Sequence, residues 1–180
     1  MAEIKVLILL GSLRAASINR QLAELAAESA PEGVGVTIYE GLGELPFYNE
    51  DVDTDAAPAA VVALRAAAAD ADAALVVTPE YNGSIPGVLK NAIDWLSRPF
   101  GNGALKDKPL AVIGAALGRY GGVWAHDETR KSFGIAGPRV VDSVKLSLQT
   151  TTFDGRHPRE SAEVAAAVRD LVGKLAAEVS

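Results

Sequence analysis

The sequence predicts one α/β domain in which a parallel sheet is covered by helices on both faces. Two observations carry this. Five short apolar runs alternate with longer, alanine-rich stretches that read as helices, and strict alternation of this kind builds parallel sheets. The first run is also almost continuously hydrophobic, as a strand buried on both faces must be. The 180 residues suit one such core, and no internal repeat or long linker divides them, so residues 1–180 read as a single domain.

The first strand is Ile4–Leu10. Its run is too short to span a bilayer. It also leads straight into Gly11-Ser12-Leu13-Arg14 without the cleavage context of a signal peptide, so a cytoplasmic protein without membrane insertion is expected. A helix over residues 17–30 follows, where Ile18, Leu22 and Leu25 form one apolar stripe and Pro31-Glu32-Gly33 stops it. Val34–Tyr39 alternates as strand two. Residues 40–55 make a long connection with Gly, Pro and acidic residues, leading to an alanine-rich helix at 57–69.

Residues 73–78 are the third strand and 79–84 a turn-rich loop. Pro86 then suits an early helical position in a segment running to Ser97. Residues 109–115 are strand four, followed by a Gly-rich loop and a helix over 123–133. A short fifth strand at 139–142, an irregular stretch over 145–158 and an amphipathic helix at 159–179 complete the chain. Five strands favour the flavodoxin-like three-layer sandwich with strand order 2-1-3-4-5. In that order ligands bind beyond the carboxyl ends of strands one and three.

Composition removes several functions. With 49% hydrophobic and 22% charged residues the chain is not disordered. A net charge of −6 opposes polyphosphate, so nucleic acid is not an expected partner, although one small anion can still meet a local basic pocket. The absence of cysteine excludes disulfides, thiolate catalysis and cysteine-bound metal clusters. His126 and His157 are the only histidines, so no metal centre is expected.

The chemistry is expected in three loops. The first runs Gly11-Ser12-Leu13-Arg14-Ala15-Ala16-Ser17-Ile18-Asn19. It lacks both the dinucleotide and the nucleoside-triphosphate glycine patterns. Instead Ser12, Arg14, Ser17 and Asn19 surround a helix start, whose N–H groups lack internal partners and favour negative charge. That suits one terminal phosphate. A plain turn, with Ser17 as cap and Arg14 in solvent, is the competing reading.

The second loop, Pro79-Glu80-Tyr81-Asn82-Gly83-Ser84, is stiffened by Pro79 and an Asn-Gly turn. Its fixed backbone groups can meet the edge of a planar heteroaromatic ring, with Tyr81 as a wall. The competing reading is a rigid connection with Trp95 in the core. The third loop follows strand four, where Gly118 allows close backbone approach and Tyr120 can stack on a ligand. A bland Gly-rich loop with a solvated Arg119 competes here.

Taken together the loops resemble the NADPH-dependent FMN reductase family, which includes bacterial quinone, azo-dye and chromate reductases. The matches are Gly11-Ser12-Leu13-Arg14 with Ser17 and Asn19, then Leu45-Pro46-Phe47-Tyr48-Asn49-Glu50-Asp51. Pro79-Glu80-Tyr81-Asn82 follows, continuing through Ser84, Pro86-Gly87 and Leu89-Lys90-Asn91-Ala92-Ile93-Asp94-Trp95. The resemblance implies a flavodoxin-like fold and non-covalent FMN, with its phosphate at Ser12, Arg14, Ser17 and Asn19. It places the ring against Pro79, Glu80, Tyr81, Asn82 and Gly83. It further implies NADPH or NADH as reductant, ping-pong hydride transfer to a small-molecule acceptor (quinones, azo compounds, free flavin or metal oxyanions), and a homodimer or homotetramer. Family members often carry a serine where Ala115 stands and an arginine after the paired glycines, where this chain has Val123-Trp124.

Other features read as structural. Asp51, Asp53 and Asp55 begin like a calcium loop, but Ala56 and Val62 replace its glycine and closing glutamate. Ser84 lacks the flanking glycines of a nucleophile elbow. Glu80 reads as a residue whose backbone, rather than an acid side chain, has a positioning role, and His126 as a helix-surface or interface residue. A non-catalytic, flavodoxin-like electron carrier is the alternative function, and a flavin-free module a third.

Overall fold

The computed structural model describes residues 3–179. Its sheet is wholly parallel, with the order β2-β1-β3-β4-β5. The strands are β1 (Ile4–Leu10), β2 (Val34–Tyr39), β3 (Ala73–Val77), β4 (Pro109–Ala116) and β5 (Arg139–Gln149). The helices are α1 (Ile18–Glu28), α2 (Ala59–Asp70), α3 (Gly87–Leu96), α4 (Val123–Ala136) and α5 (Ala162–Ala177).

The continuous hydrophobicity of the central strands follows from this layering, because successive side chains face opposite cores. Val6, Ile8 and Leu10 join Leu22 and Leu25 of α1 and Val168, Leu171 and Leu175 of α5. Leu7 and Leu9 join Leu64 of α2, Leu89 and Trp95 of α3, and Phe133 of α4. No helix among the described residues is long and apolar enough to cross a membrane.

The long connection after β2 is strapped across α3. The Tyr48 N–H donates to Asn91 Oδ1 (2.8 Å), and Trp95 Nε1 donates to the Pro46 carbonyl (2.8 Å). Arg65 of α2 closes the strap, donating to both oxygens of Asp53 (2.8 and 3.0 Å) and to the Trp95 carbonyl (3.0 Å). The Asp53 carboxylate, one of the three that mimic a calcium loop, is therefore already taken. Trp95 lies in the core, as its competing reading had it.

The C-terminal third departs from expectation. β5 continues to Gln149 instead of ending at Asp142. Between the pairs Leu110↔Val140 and Val112↔Lys145 the register slips, and the bulge turns both Val141 and Val144 into the core. A bulge of this kind breaks the two-residue alternation by which strands are read, so the polar residues around it mimic a strand end. Residues 145–149, read as irregular, are ladder. The last helix starts later too, at Ala162, where the Ser161 side chain accepts from the Val164 N–H.

Candidate functional site

The carboxyl ends of β1 and β3 leave the sheet side by side. The Gly11 N–H donates to the Val77 carbonyl (2.8 Å), and a Cβ on Gly11 would overlap the Thr78 hydroxyl. Glycine is thus required there by packing, and the first two predicted loops touch at their roots.

In the first loop Ser12 and Ser17 are buried and Arg14 is exposed. Ser17 caps α1, its Oγ accepting from the Asn19 N–H (3.1 Å), while Ser12 Oγ lies 3.4 Å from the Arg14 N–H. The N–H groups of Ser12, Leu13, Ala15, Ala16 and Ile18 meet no acceptor among the described residues, nor does the Arg14 guanidinium. Buried hydroxyls, unpaired donors and an unpartnered cation at one helix start are groups whose chemistry suits an anion. Asn19 has a different task. Its Nδ2 donates to the Ala115 carbonyl (2.9 Å) and its Oδ1 accepts from the Ala115 N–H (2.8 Å), tying α1 to β4.

The second loop is held rigidly. Tyr81 and Ser84 exchange N–H···O bonds (3.2 and 3.1 Å) around Asn82 (φ 54°) and Gly83 (φ 73°), a tight turn with positive φ at both central residues. Two side chains staple it to α4. Glu80 Oε2 accepts from the Ala125 N–H (3.1 Å) in the first helical turn, where the helix dipole favours an anion. Ser84 Oγ donates to Glu128 Oε2 (2.6 Å). Pro79 is buried and Tyr81 exposed, and the N–H groups of Glu80, Asn82 and Gly83 meet no acceptor among the described residues.

The third loop supplies the rim. Leu117, Gly118, Arg119 and Tyr120 are exposed, and the Tyr120 ring lies 5.8 Å from that of exposed Trp124. Trp124 in turn borders Gly83, 3.5 Å from where a Cβ would stand. Arg119 covers the Tyr120 ring at 5.7 Å.

Three contributors escaped the sequence reading: Thr78, His126 and Ser147. His126 is fully buried, which corrects its assignment to a helix surface or interface. One ring nitrogen lies 2.9 Å from the Thr78 carbonyl and the other 2.7 Å from Ser147 Oγ. Burial foremost holds its pKa below the ordinary 6.5, so the imidazole is neutral. The missed signal was helical spacing, since His126, Thr129, Arg130 and Phe133 share one buried face of α4.

Comparison with known proteins gives a concordant result. A family model described as NADPH-dependent FMN reductase matches residues 4–152. A quinone reductase of Pseudomonas putida is 46% identical over 127 residues, covering 71% of this chain and 68% of that one. An NAD(P)H-dependent FMN reductase of Pseudomonas aeruginosa is 40% identical over 156 residues, 86% of this chain and 83% of that one. Among solved structures, FerB of Paracoccus denitrificans, described as a flavoenzyme NAD(P)H:(acceptor) oxidoreductase, superposes with a TM-score of 0.85. It is 31% identical, and the superposition covers 98% of this chain and 97% of that one.

Proposed function

The chain belongs to the NADPH-dependent FMN reductase family, and from that membership we propose an FMN-dependent NAD(P)H oxidoreductase that reduces quinones and related small acceptors. The observation that carries the reading is the contact of the two loops at Gly11 and Thr78, with unpaired backbone donors on each side of it.

The residues present fit the cofactor. Ser12, Arg14, Ser17 and the unpaired N–H groups of the first turn suit a phosphate dianion, and Asn19 keeps that turn seated on β4. Pro79, Glu80, Tyr81, Asn82 and Gly83 would form the ring-facing wall, flanked by Gly118, where a Cβ would stand 3.8 Å from Glu80 Oε1, and by Tyr120, whose ring meets Trp124. FMN held by these residues would supply the redox chemistry between NADPH or NADH and an acceptor. The protein's share is placement. Rigid N–H donors at Asn82 and Gly83 stabilise negative charge on a ring edge without reorganising. The Glu80 carboxylate is engaged at the α4 N-terminus, which suits a positioning role better than proton transfer. Exposed Arg119 is the cation available for the 2′-phosphate of NADPH.

A second copy completes the reading. The cleft between α3 and α4 sets Phe100 and Ile135, 76% and 69% exposed, beside the charged groups of Lys90, Asp94 and Arg98. A homodimer would cover these two exposed apolar side chains.

The test is the visible spectrum of the purified protein, followed by anaerobic addition of NADPH and then NADH. Yellow protein bleached by a nicotinamide, and recoloured by a quinone, is expected. Yellow protein that no nicotinamide bleaches would mark an electron carrier needing a partner reductase, and colourless protein that ignores added FMN would overturn the reading.

A further inference from the structure

We infer that His126 is a positioning residue for the ring-facing loop: lodged where α4, the end of β3 and β5 meet, it fixes the Thr78–Pro79 peptide from which that loop departs. The inference rests on the FMN-binding reading above and extends it to a residue outside the loops.

The geometry is specific. A carbonyl oxygen only accepts, so the nitrogen 2.9 Å from the Thr78 oxygen, Nε2, carries the proton. Nδ1 then accepts from the Ser147 hydroxyl at 2.7 Å. Thr78 marks the end of the β3–β4 ladder. Its N–H still donates to the Ile113 carbonyl (3.0 Å), while its own carbonyl turns to the imidazole. The side chain therefore takes over where strand pairing stops, and the amide it holds is the one that orients buried Pro79. Space for the ring is built into the backbone. A Cβ on Gly114 would lie 2.8 Å from Nε2, and one on Gly122 3.0 Å from it. The buried environment keeps the imidazole neutral, matching one donor and one acceptor to its two partners.

A loop whose N–H groups must meet a planar ring loses affinity when its root is free to rotate. The full chain is stripped of flavin and titrated with FMN, following quenching of flavin fluorescence. Imidazole nitrogen NMR of the wild type should show the Nε2–H tautomer. H126L should weaken FMN binding about tenfold by leaving the carbonyl unpaired. H126Q, which can still donate to Thr78, should restore most of that loss, a rescue that general core damage would not show. S147A, which frees only the far end of the ring, should weaken binding about threefold and serves if H126L does not fold.

Wild-type affinity in H126L, or in S147A where H126L fails to fold, would overturn the assignment, as would H126Q no better than H126L or a proton found on Nδ1. A wild type that takes up no FMN would instead sink the functional reading, and this assignment with it.

Discussion

Replacing Arg14 with alanine separates binding from folding unusually well in this chain. The Arg14 side chain is exposed, and its guanidinium has no hydrogen-bond or ion-pair partner among the described residues. Nothing in the fold depends on it, so flavin-free R14A should melt within about 2 °C of the wild type. Under the proposed function, its position beside the unpaired N–H groups of the first turn makes it the cation offered to the FMN phosphate. One charge-assisted contact to a phosphate is worth about 1.5–3 kcal/mol, which converts to an FMN dissociation constant about ten to a hundred times larger. R14K should fall between, keeping the charge but losing the two-pronged guanidinium geometry. The assay is fluorescence quenching on titration of flavin-free protein, repeated at high salt. Screening should narrow the gap between wild type and R14A, because an exposed charge is involved. Equal FMN affinity in R14A and wild type at low salt would remove Arg14 from the site and return the first loop to a plain capped turn.

Other substitutions test the scaffold. R65A strands the buried end of the strap by releasing Asp53 and the Trp95 carbonyl together, and should cost about 2 kcal/mol, lowering the melting temperature by about 4–8 °C. The Arg65 hydrogen bond holds the Asp53 carboxyl below its ordinary 3.8. That stabilisation is complete above the ordinary value and fades as pH falls through the folded one, so an acid titration of stability should lose this component in D53N. His126 has the opposite charge type but the same direction. Its depressed pKa, set by burial with Arg130 adding and the Thr78 bond, Glu80 and Asp127 opposing, means the unfolded chain binds the proton first. Stability should therefore fall as pH drops below 6.5 towards the folded value, and that slope should vanish in H126Q. G114A should lose about 2 kcal/mol on thermal unfolding, because its Cβ would overlap the Thr78 carbonyl, a backbone atom that cannot swing away.

Much of this fold was legible because the central strands are buried on both faces. β1, β3 and β4 announce themselves by near-continuous hydrophobicity, and the segments between successive strands are long enough for helical crossovers. The loops were legible for another reason: Gly11, Pro79 and the Asn82-Gly83 pair are residues whose backbone restrictions or freedoms show in their identity. The bulge of β5 had no such mark. Asp142-Ser143 looks like a terminus whether or not the ladder resumes at Lys145, and only pairing with β4 settles it. Asn19 shows a subtler limit. An amide near a helix start reads as an anion ligand, yet both of its ends meet the backbone of Ala115, far away in sequence. His126 fails to declare itself for the same reason, its partners being on β3 and β5.

That pattern points to a division of labour at the carboxyl edge of the sheet. The polar side chains that the sequence presents least clearly, Asn19, Thr78 and His126, are buried and have their hydrogen bonds satisfied within the chain. The groups that stay unpaired, the Arg14 guanidinium and the N–H groups of Ser12, Ala15, Asn82 and Gly83, belong to the loops that those residues adjoin. Preorganisation requires this arrangement, because a donor contributes most to binding when fixing its position costs nothing further. It also explains why the chain needs no cysteine or free histidine for its chemistry. With redox chemistry supplied by a bound flavin, as the proposed function has it, the side chains would be left to hold backbone dipoles still. Substitutions at the unpaired groups should consequently change ligand affinity at constant stability, whereas those at Asn19, Gly114 or His126 should move both together.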